Sequence, residues 1–280
     1  MDHPNSLTLL AVHAHPDDES IGTGGILAKY EALGIMTVVV FCTRGEVGDI
    51  QNPDFIPPSP EMDITEIRQR ELDRALQVLR VGSARFLGYR DSGMAGTPAN
   101  NHPEAFARAN PEKASGELVT IIRKIHPQVV VTYNEKGTYG HPDHIMANRI
   151  TQLAFESAGN PHYIDPEGLP PWKPSKLYYT AISRTRIRMM VQLARERGET
   201  LPFDPEILGT PDEKITTTID IRKFLDQKLR AIFCHESQFG PNSFFRRIPE
   251  EWKEEVFGYE HFECIRGCKG GKETDLFQGI

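Results

Sequence analysis

Leu7-Thr8-Leu9-Leu10-Ala11-Val12-His13-Ala14-His15-Pro16-Asp17-Asp18-Glu19 is the stretch on which the fold turns. An apolar run reads as a buried strand. It then breaks into a turn built from a proline, an imidazole and three carboxylates. The same design returns far along the chain, where the apolar Val129–Thr132 is soon followed by Gly140-His141-Pro142-Asp143-His144. Apolar runs without polar alternation are the strands of a parallel sheet covered on both faces. Ligands of such sheets bind beyond the carboxyl ends of the strands, and both His-Pro-Asp strings fall there.

Working outward, Ser20–Leu33 reads as a helix stopped by Gly34. Met36–Cys42 is a Val-rich strand, and Thr43–Pro60, with its glycines and prolines, a loop. Helices are expected over Glu61–Arg80, Glu112–Ile125 and His144–Ala158, and strands over Arg85–Leu87 and Gln128–Tyr133. Tyr89–Pro111 is a long polar segment of the functional or mobile kind. This alternation predicts an α/β fold: a Rossmann-like, mostly parallel sheet with helices on both faces. Prolines cluster from Pro161 to Pro174, and the character then changes. A strand over Lys176–Ile182, a basic helix over Arg184–Arg197, a loop over Leu201–Lys214, a short strand over Thr216–Ile219 and a helix over Ile221–His235 make a smaller C-terminal α+β region. The expected division is a metal-binding catalytic domain over 1–175, and a subdomain over 176–280 that completes the sheet and the substrate pocket.

A chain of 280 residues, 39% hydrophobic and 25% charged, has the balance of a globular protein with a sizeable core. A net charge of −7 argues against nucleic acid as a partner. Nothing approaches the ~20 apolar residues of a membrane span, and Met1–Asn5 lacks the basic start of a signal peptide. Cytoplasmic localisation is the expectation. Cys42 reads as a reduced core residue, while Cys264 and Cys268, four apart, leave a disulfide or a structural zinc open.

A catalytic zinc site takes about three protein ligands and keeps one position open. His15 and Asp18, three apart in a tight turn, can reach one ion, and His144 is the natural third ligand. Pro16 and Pro142 stiffen the two turns. Asp17 then has a free carboxylate beside the metal, placed to act as general base. Asp143 is expected to hold the His141 imidazole in one tautomer and to raise its pKa, which would suit a general acid or an oxyanion stabiliser. The plainer alternative is that Asp17, Asp18 or Ser20 simply caps the following helix. Gly22-Thr23-Gly24-Gly25 suits close packing of helix on sheet. His13 reads as a core residue or a further metal contact, Glu19 as a tie between strand ends or a ligand contact, Glu46 as a rim residue, and His235 as a capping histidine or a visitor to the site.

Taken together, Ala14–Glu19 with Gly140–His144, Gly24-Gly25, Arg68-x-x-Glu71-Leu72, Tyr89-Arg90-Asp91-Ser92-Gly93-Met94 and Thr132-Tyr133-Asn134 resemble the zinc-dependent N-deacetylases of the LmbE/PIG-L family. The ending Glu273–Ile280 resembles that of its mycothiol branch. The resemblance implies one Zn2+ per chain on His15, Asp18 and His144, with Fe2+ an alternative for a set of two histidines and one carboxylate. It implies Asp17 as general base and later acid, and His141, oriented by Asp143, as oxyanion or leaving-group partner. Tyr139 would polarise the amide carbonyl, and Arg68 and Asp91 would hold sugar hydroxyls; Glu46 and Ser20 complete the expected substrate contacts. The implied substrate is a small amino-sugar glycoside of the N-acetylglucosaminyl-inositol type. The amidase branch typically carries a lysine just after the acidic string, where Ser20-Ile21-Gly22-Thr23 stands here. Competing readings are an amidase of a larger thiol conjugate, a non-catalytic sugar-binding module and a metal-dependent phosphatase. A homo-oligomer is compatible with all of them.

Overall fold

The computed structural model describes residues 7–196, 198, 200–201 and 204–280. Met1–Asn5, Arg197 and two positions of the Leu201–Lys214 segment lie outside the described residues. In chain order the elements are β1 (Thr8–His13), α1 (Asp18–Gly22), α2 (Gly24–Ala32), β2 (Met36–Thr43), α3 (Ile64–Leu79), β3 (Ser83–Tyr89), α4 (Pro111–Ile125), β4 (Val129–Thr132), α5 (Gly137–Gly140), α6 (Pro142–Ala158), β5 (Lys176–Ala181), α7 (Arg184–Glu196), α8 (Pro205–Leu208), β6 (Thr217–Asp220), α9 (Leu225–Cys234), α10 (Phe244–Arg247), α11 (Glu250–Phe257) and β7 (Tyr259–Arg266).

The strands form one sheet in the order β3-β2-β1-β4-β5-β7-β6. From β3 to β5 all pairings are parallel, with Leu9 opposite Val129 and Leu10 opposite Val38. β7 pairs antiparallel to both β5 and β6. Side chains alternate across each strand, so β1 feeds two cores. Leu10 and Val12 pack with Leu118 and Ile122 of α4 and Ile150 of α6. Leu9 and Ala11 pack on the other face with Ile26 of α2, Leu72 of α3 and Ala231 of α9. Each fully buried Leu or Ile in these layers contributes about 1.5–3 kcal/mol. Helices thus cover both faces, as the alternation predicts. Among the described residues no helix is long and apolar enough to cross a membrane.

Several expectations change. The helix expected over Ser20–Leu33 is two helices meeting at Thr23, whose φ of −138° and ψ of 2° are not helical and whose Oγ1 donates to the Glu19 carbonyl at 2.9 Å. Gly25 marks the close approach that its composition suggested: a Cβ there would lie 2.6 Å from Ile221. Tyr89–Pro111 is tied down by an Arg90–Ala105 bridge, and buries Asp91 and Ser92. β7 lies beyond the last element read from the sequence, because its alternating pattern of buried and half-exposed residues is weak beside the Val-rich central strands. Cys264 and Cys268 are joined by a disulfide, and Cys42 is a free, buried thiol.

Candidate active site

Strand order reverses between β1 and β4, which are adjacent, and the segments that leave them converge at their carboxyl ends. The Ala14 N–H donates to the Tyr133 hydroxyl at 2.7 Å, and the Thr43 N–H to the Ala14 carbonyl at 2.9 Å. The turn after β1 is therefore pinned to both neighbouring strands. Within it the three-residue spacing closes: the His15 N–H donates to Asp18 Oδ2 at 2.9 Å, and His15 Nδ1 lies 3.3 Å from the same oxygen. The other Asp18 oxygen lies 3.3 Å from His144 Nε2. Asp18 thus stands between two imidazoles, one oxygen to each. Against the burial that would raise it, His144 and His15 hold the Asp18 carboxyl well below its ordinary range.

His144 approaches Asp18 without hydrogen-bond alignment, and among the described residues neither of its buried ring nitrogens has a hydrogen-bond partner. Its ring stacks on Tyr133, with centroids 4.0 Å apart. Ligand atoms of His15, His141 and His144 lie within 4.8 Å of one another, as do those of His15, Asp91 and Asp143. Orphaned imidazole nitrogens facing a carboxylate fit a divalent cation of borderline softness. The three expected ligands are brought together, with His141 beside the two histidines.

The helix expected from His144 starts earlier. α6 begins at Pro142, a proline at a helix's first position, and His141 is its N-cap: Nδ1 accepts the Asp143 N–H at 3.1 Å. This corrects the expected His141–Asp143 pair. The Asp143 carboxylate points elsewhere, accepting from the Ser92 N–H at 2.9 Å, from the Ser92 hydroxyl and from His15 Nε2 at 3.2 Å. The expected rise in the His141 pKa is reversed, since burial, then His15 and His144, push it down to about 4. With Nδ1 accepting, the proton of the neutral ring sits on Nε2.

Asp17 occupies the N-cap position of α1, yet its side chain makes no capping hydrogen bond. Its φ of 113° is rare for a residue with a Cβ. The carboxylate pairs with the Arg68 guanidinium at 3.2 Å, and burial, against that pull, lifts it to about 6. Arg68 also donates to the carbonyls of Pro16 and Gly45. Gly45, at φ +68°, is needed there, because a Cβ would overlap the guanidinium. Arg68, expected at sugar hydroxyls, is thus spent largely on Asp17 and its turn. Asp91, expected in the same role, accepts from the Gly93 N–H at 2.8 Å and lies 3.6 Å from His15 Nε2.

Glu46 fastens the rim, accepting from the N–H groups of Asp91 at 2.9 Å and Arg44 at 3.2 Å. Ser20 corrects its expectation as a substrate contact: it is fully buried and donates to Glu19 at 2.6 Å. His13 is fully buried, lies 2.8 Å from Thr23 Oγ1, and is pushed down to about 4 by burial, as a neutral core histidine would be. His235 is drawn in: its Nε2 lies 2.9 Å from Glu19 Oε1, and both side chains are fully buried. Burial works against both charges. Against that burial, Glu19 raises the His235 pKa and His235 lowers that of Glu19. Tyr139 stands at the mouth, 48% exposed, its ring edge-on to His144. Tyr133 and Ser92 received no role from the sequence. Their signal was present in the strings Thr132-Tyr133-Asn134 and Asp91-Ser92-Gly93, but which side chain each would meet was not.

The model of the family described as PIG-L: GlcNAc-PI de-N-acetylase matches residues 10–155, which span both strings. A 1D-myo-inositol 2-acetamido-2-deoxy-alpha-D-glucopyranoside deacetylase of Acidothermus cellulolyticus is 42% identical, over 98% of this chain and 95% of its own. Among solved structures, the N,N'-diacetylchitobiose deacetylase of Pyrococcus horikoshii aligns with a TM-score of 0.64 at 21% identity, over 94% of this chain and 85% of its own. GalB of Pseudomonas putida KT2440, a 4-carboxy-2-hydroxymuconate hydratase, aligns with a TM-score of 0.63 at 19% identity, over 95% and 99%. At that distance likeness shows fold alone, and the fold carries more than one chemistry. Sequence identity along almost the whole chain, with a family match that spans both His-Pro-Asp strings, decides the family: this chain belongs to the PIG-L, GlcNAc-PI de-N-acetylase, family.

Proposed function

We propose that this chain is a zinc-dependent N-deacetylase that hydrolyses the acetamide of a small N-acetylglucosamine glycoside of the inositol type. The observation that carries the reading is the turn after β1. There Asp18 lies between His15 and His144, while the adjacent Asp17 keeps its carboxylate out of helix capping. The named deacetylase relative, similar along nearly its whole length, supports the substrate class.

His15, Asp18 and His144 would hold the ion, and the unpartnered nitrogens of His144 are what fits it. When bound, zinc supplies a Lewis acid for the amide carbonyl and for the attacking water. The remaining work falls to side chains of the chain. Asp17 takes a proton from the water as its oxygen attacks the carbonyl carbon. The neutral His141, with its proton on Nε2, and the Tyr139 phenol donate toward the developing oxyanion; one such donor is worth about 3–4 kcal/mol. Asp17 then returns its proton to the amine nitrogen as the C–N bond breaks, leaving acetate and a free amino sugar. Asp143 holds His15 and, through Ser92, the rim segment Asp91–Gly93. Arg68 orients Asp17, Glu46 and Asp91 shape the rim, and sugar hydroxyls meet that rim at the mouth marked by Tyr139.

Acetate release from N-acetylglucosaminyl-inositol and from free N-acetylglucosamine, each with and without a chelator, tests the proposal. Chelator-sensitive release that prefers the inositol glycoside is expected. Release from neither compound by zinc-loaded protein would overturn it.

A further inference from the structure

Asp17 sits in a backbone conformation that residues with a Cβ seldom adopt, so something else in the structure must maintain it. Two side chains do. Arg68 takes the carboxylate at 3.2 Å. Glu19 takes the backbone, its Oε2 accepting the Asp17 N–H at 2.8 Å. The second Glu19 oxygen accepts from the Ser20 hydroxyl at 2.6 Å and pairs with His235 Nε2 at 2.9 Å. A fully buried carboxylate has to have its oxygens met by hydrogen-bond partners. His235 reaches that second oxygen from the end of α9, 216 residues away in sequence.

The segment that carries His235 is itself anchored. The Ser237 N–H and hydroxyl donate to the Glu71 carboxylate at 2.6 and 2.7 Å. The Ser237 carbonyl accepts the N–H groups of Gln51 and Asn52 at 2.8 and 3.0 Å. Glu71 lies one turn along α3 from Arg68, the residue that grips the Asp17 carboxylate. The residues that follow α9 thus meet Glu19 directly and meet α3 one turn from Arg68.

We propose that His235 is a positioning residue for the hydrolysis. By fixing Glu19 it keeps the Asp17 backbone in the turn that aims its carboxylate at the attacking water, so the C-terminal region sets the base without touching substrate. This rests on the deacetylase reading above. A purely architectural pair would change stability and leave the chemical step alone.

The test uses zinc-loaded full-length chain and four variants: His235→Ala, His235→Gln, whose amide can donate to Glu19 without a charge, Glu19→Gln, and the Glu19→Gln/His235→Ala double variant. Measured are kcat and KM on N-acetylglucosaminyl-inositol, zinc content, and the Asp17 backbone amide resonance in a 15N–1H spectrum. Loss of an outer partner that orients a catalytic group costs about ten- to hundred-fold in activity. The expected result for His235→Ala is a kcat loss of that size with KM and zinc content near wild type and a displaced Asp17 amide resonance. His235→Gln should recover part of both, and the Glu19→Gln/His235→Ala double variant should lose no more than the worse single one. Wild-type kcat in either His235 variant overturns the proposal, and so does an unmoved Asp17 resonance. If His235→Ala does not fold, His235→Gln carries the same readouts. If wild-type chain releases no acetate from any amide, the deacetylase reading falls instead, and the Asp17 resonance alone decides the linkage.

Discussion

Two regions of this molecule bury charge, and they do it differently. In the C-terminal half, Lys176 and Glu273 pair at 2.8 Å, the Tyr178 hydroxyl donates to Glu273 at 2.6 Å, and Lys176 also donates to the Gln278 carbonyl at 2.7 Å. Lys228 pairs with Glu260 at 2.6 Å, and Glu260 accepts the first N–H groups of α2 from Gly25 and Ile26. Each charge meets its opposite, and both carboxylates accept further hydrogen bonds. At the carboxyl ends of β1 and β4, carboxylates and imidazoles crowd together, yet the nitrogens of His144 and Nε of Arg68 lack hydrogen-bond partners among the described residues. Complete pairing marks scaffold, because an unmet buried charge costs stability. Incomplete pairing marks a place where a ligand finishes the set.

The largest effects should separate the two regions by what they cost. His15→Ala should abolish zinc binding and turnover while the chain stays folded, and Asp17→Asn should lose on the order of a thousandfold in kcat with zinc retained. Metal analysis beside acetate release reads both, and an Asp17→Asn enzyme of near-normal rate would break the site half of the comparison. In the scaffold, Lys176→Met should strand the Glu273 charge and cost about 3–5 kcal/mol of stability, with turnover per folded molecule unchanged. Denaturant unfolding alongside kcat checks this, and a collapse of kcat in folded protein would mean that the scaffold pair serves the site.

Zinc should act as the missing partner of the site. At a hundredfold excess over Kd it should stabilise wild type by about 2.7 kcal/mol, and His144→Ala by much less; equal stabilisation of the two would place the ion elsewhere. A smaller effect sharpens the scaffold half. His261, on β7, bonds Thr218 through Nδ1 at 3.0 Å while its Nε2 is unpartnered, an exception tolerated because the ring is neutral. Burial, then Arg186, pushes it down to about 4. Its folded pKa is below the unfolded value near 6.5, so its contribution is fully present above that pH. It is lost as pH falls toward 4, on the order of 2 kcal/mol. Thermal melts across that window should fall less steeply for His261→Gln than for wild type.

Much of the site is legible in the chain because its parts are local. His15 to Asp18 is a three-residue spacing in one turn, and His141 to His144 a proline-started helical turn. Backbone geometry alone brings such neighbours together. The central strands are legible for a related reason: a strand buried on both faces has to be apolar throughout. What stayed hidden is long-range. Asp143 faces His15 rather than its neighbour His141, His235 reaches Glu19 from the end of α9, and Arg68 crosses from α3 to the turn after β1. Each depends on which face of a helix meets the sheet, and sequence separation carries no record of that.

By itself the sequence determined a mostly parallel α/β sheet with two His-Pro-Asp strings at neighbouring strand ends, since period, apolar runs and turn residues are properties of contiguous chain. Only the tertiary structure decided that a histidine closing α9 would meet Glu19 beneath the turn after β1, and that Asp17 would be held there in a conformation its own residues do not favour. Strain of that kind persists only where the surrounding fold over-determines it, and surroundings exist only after distant segments have packed.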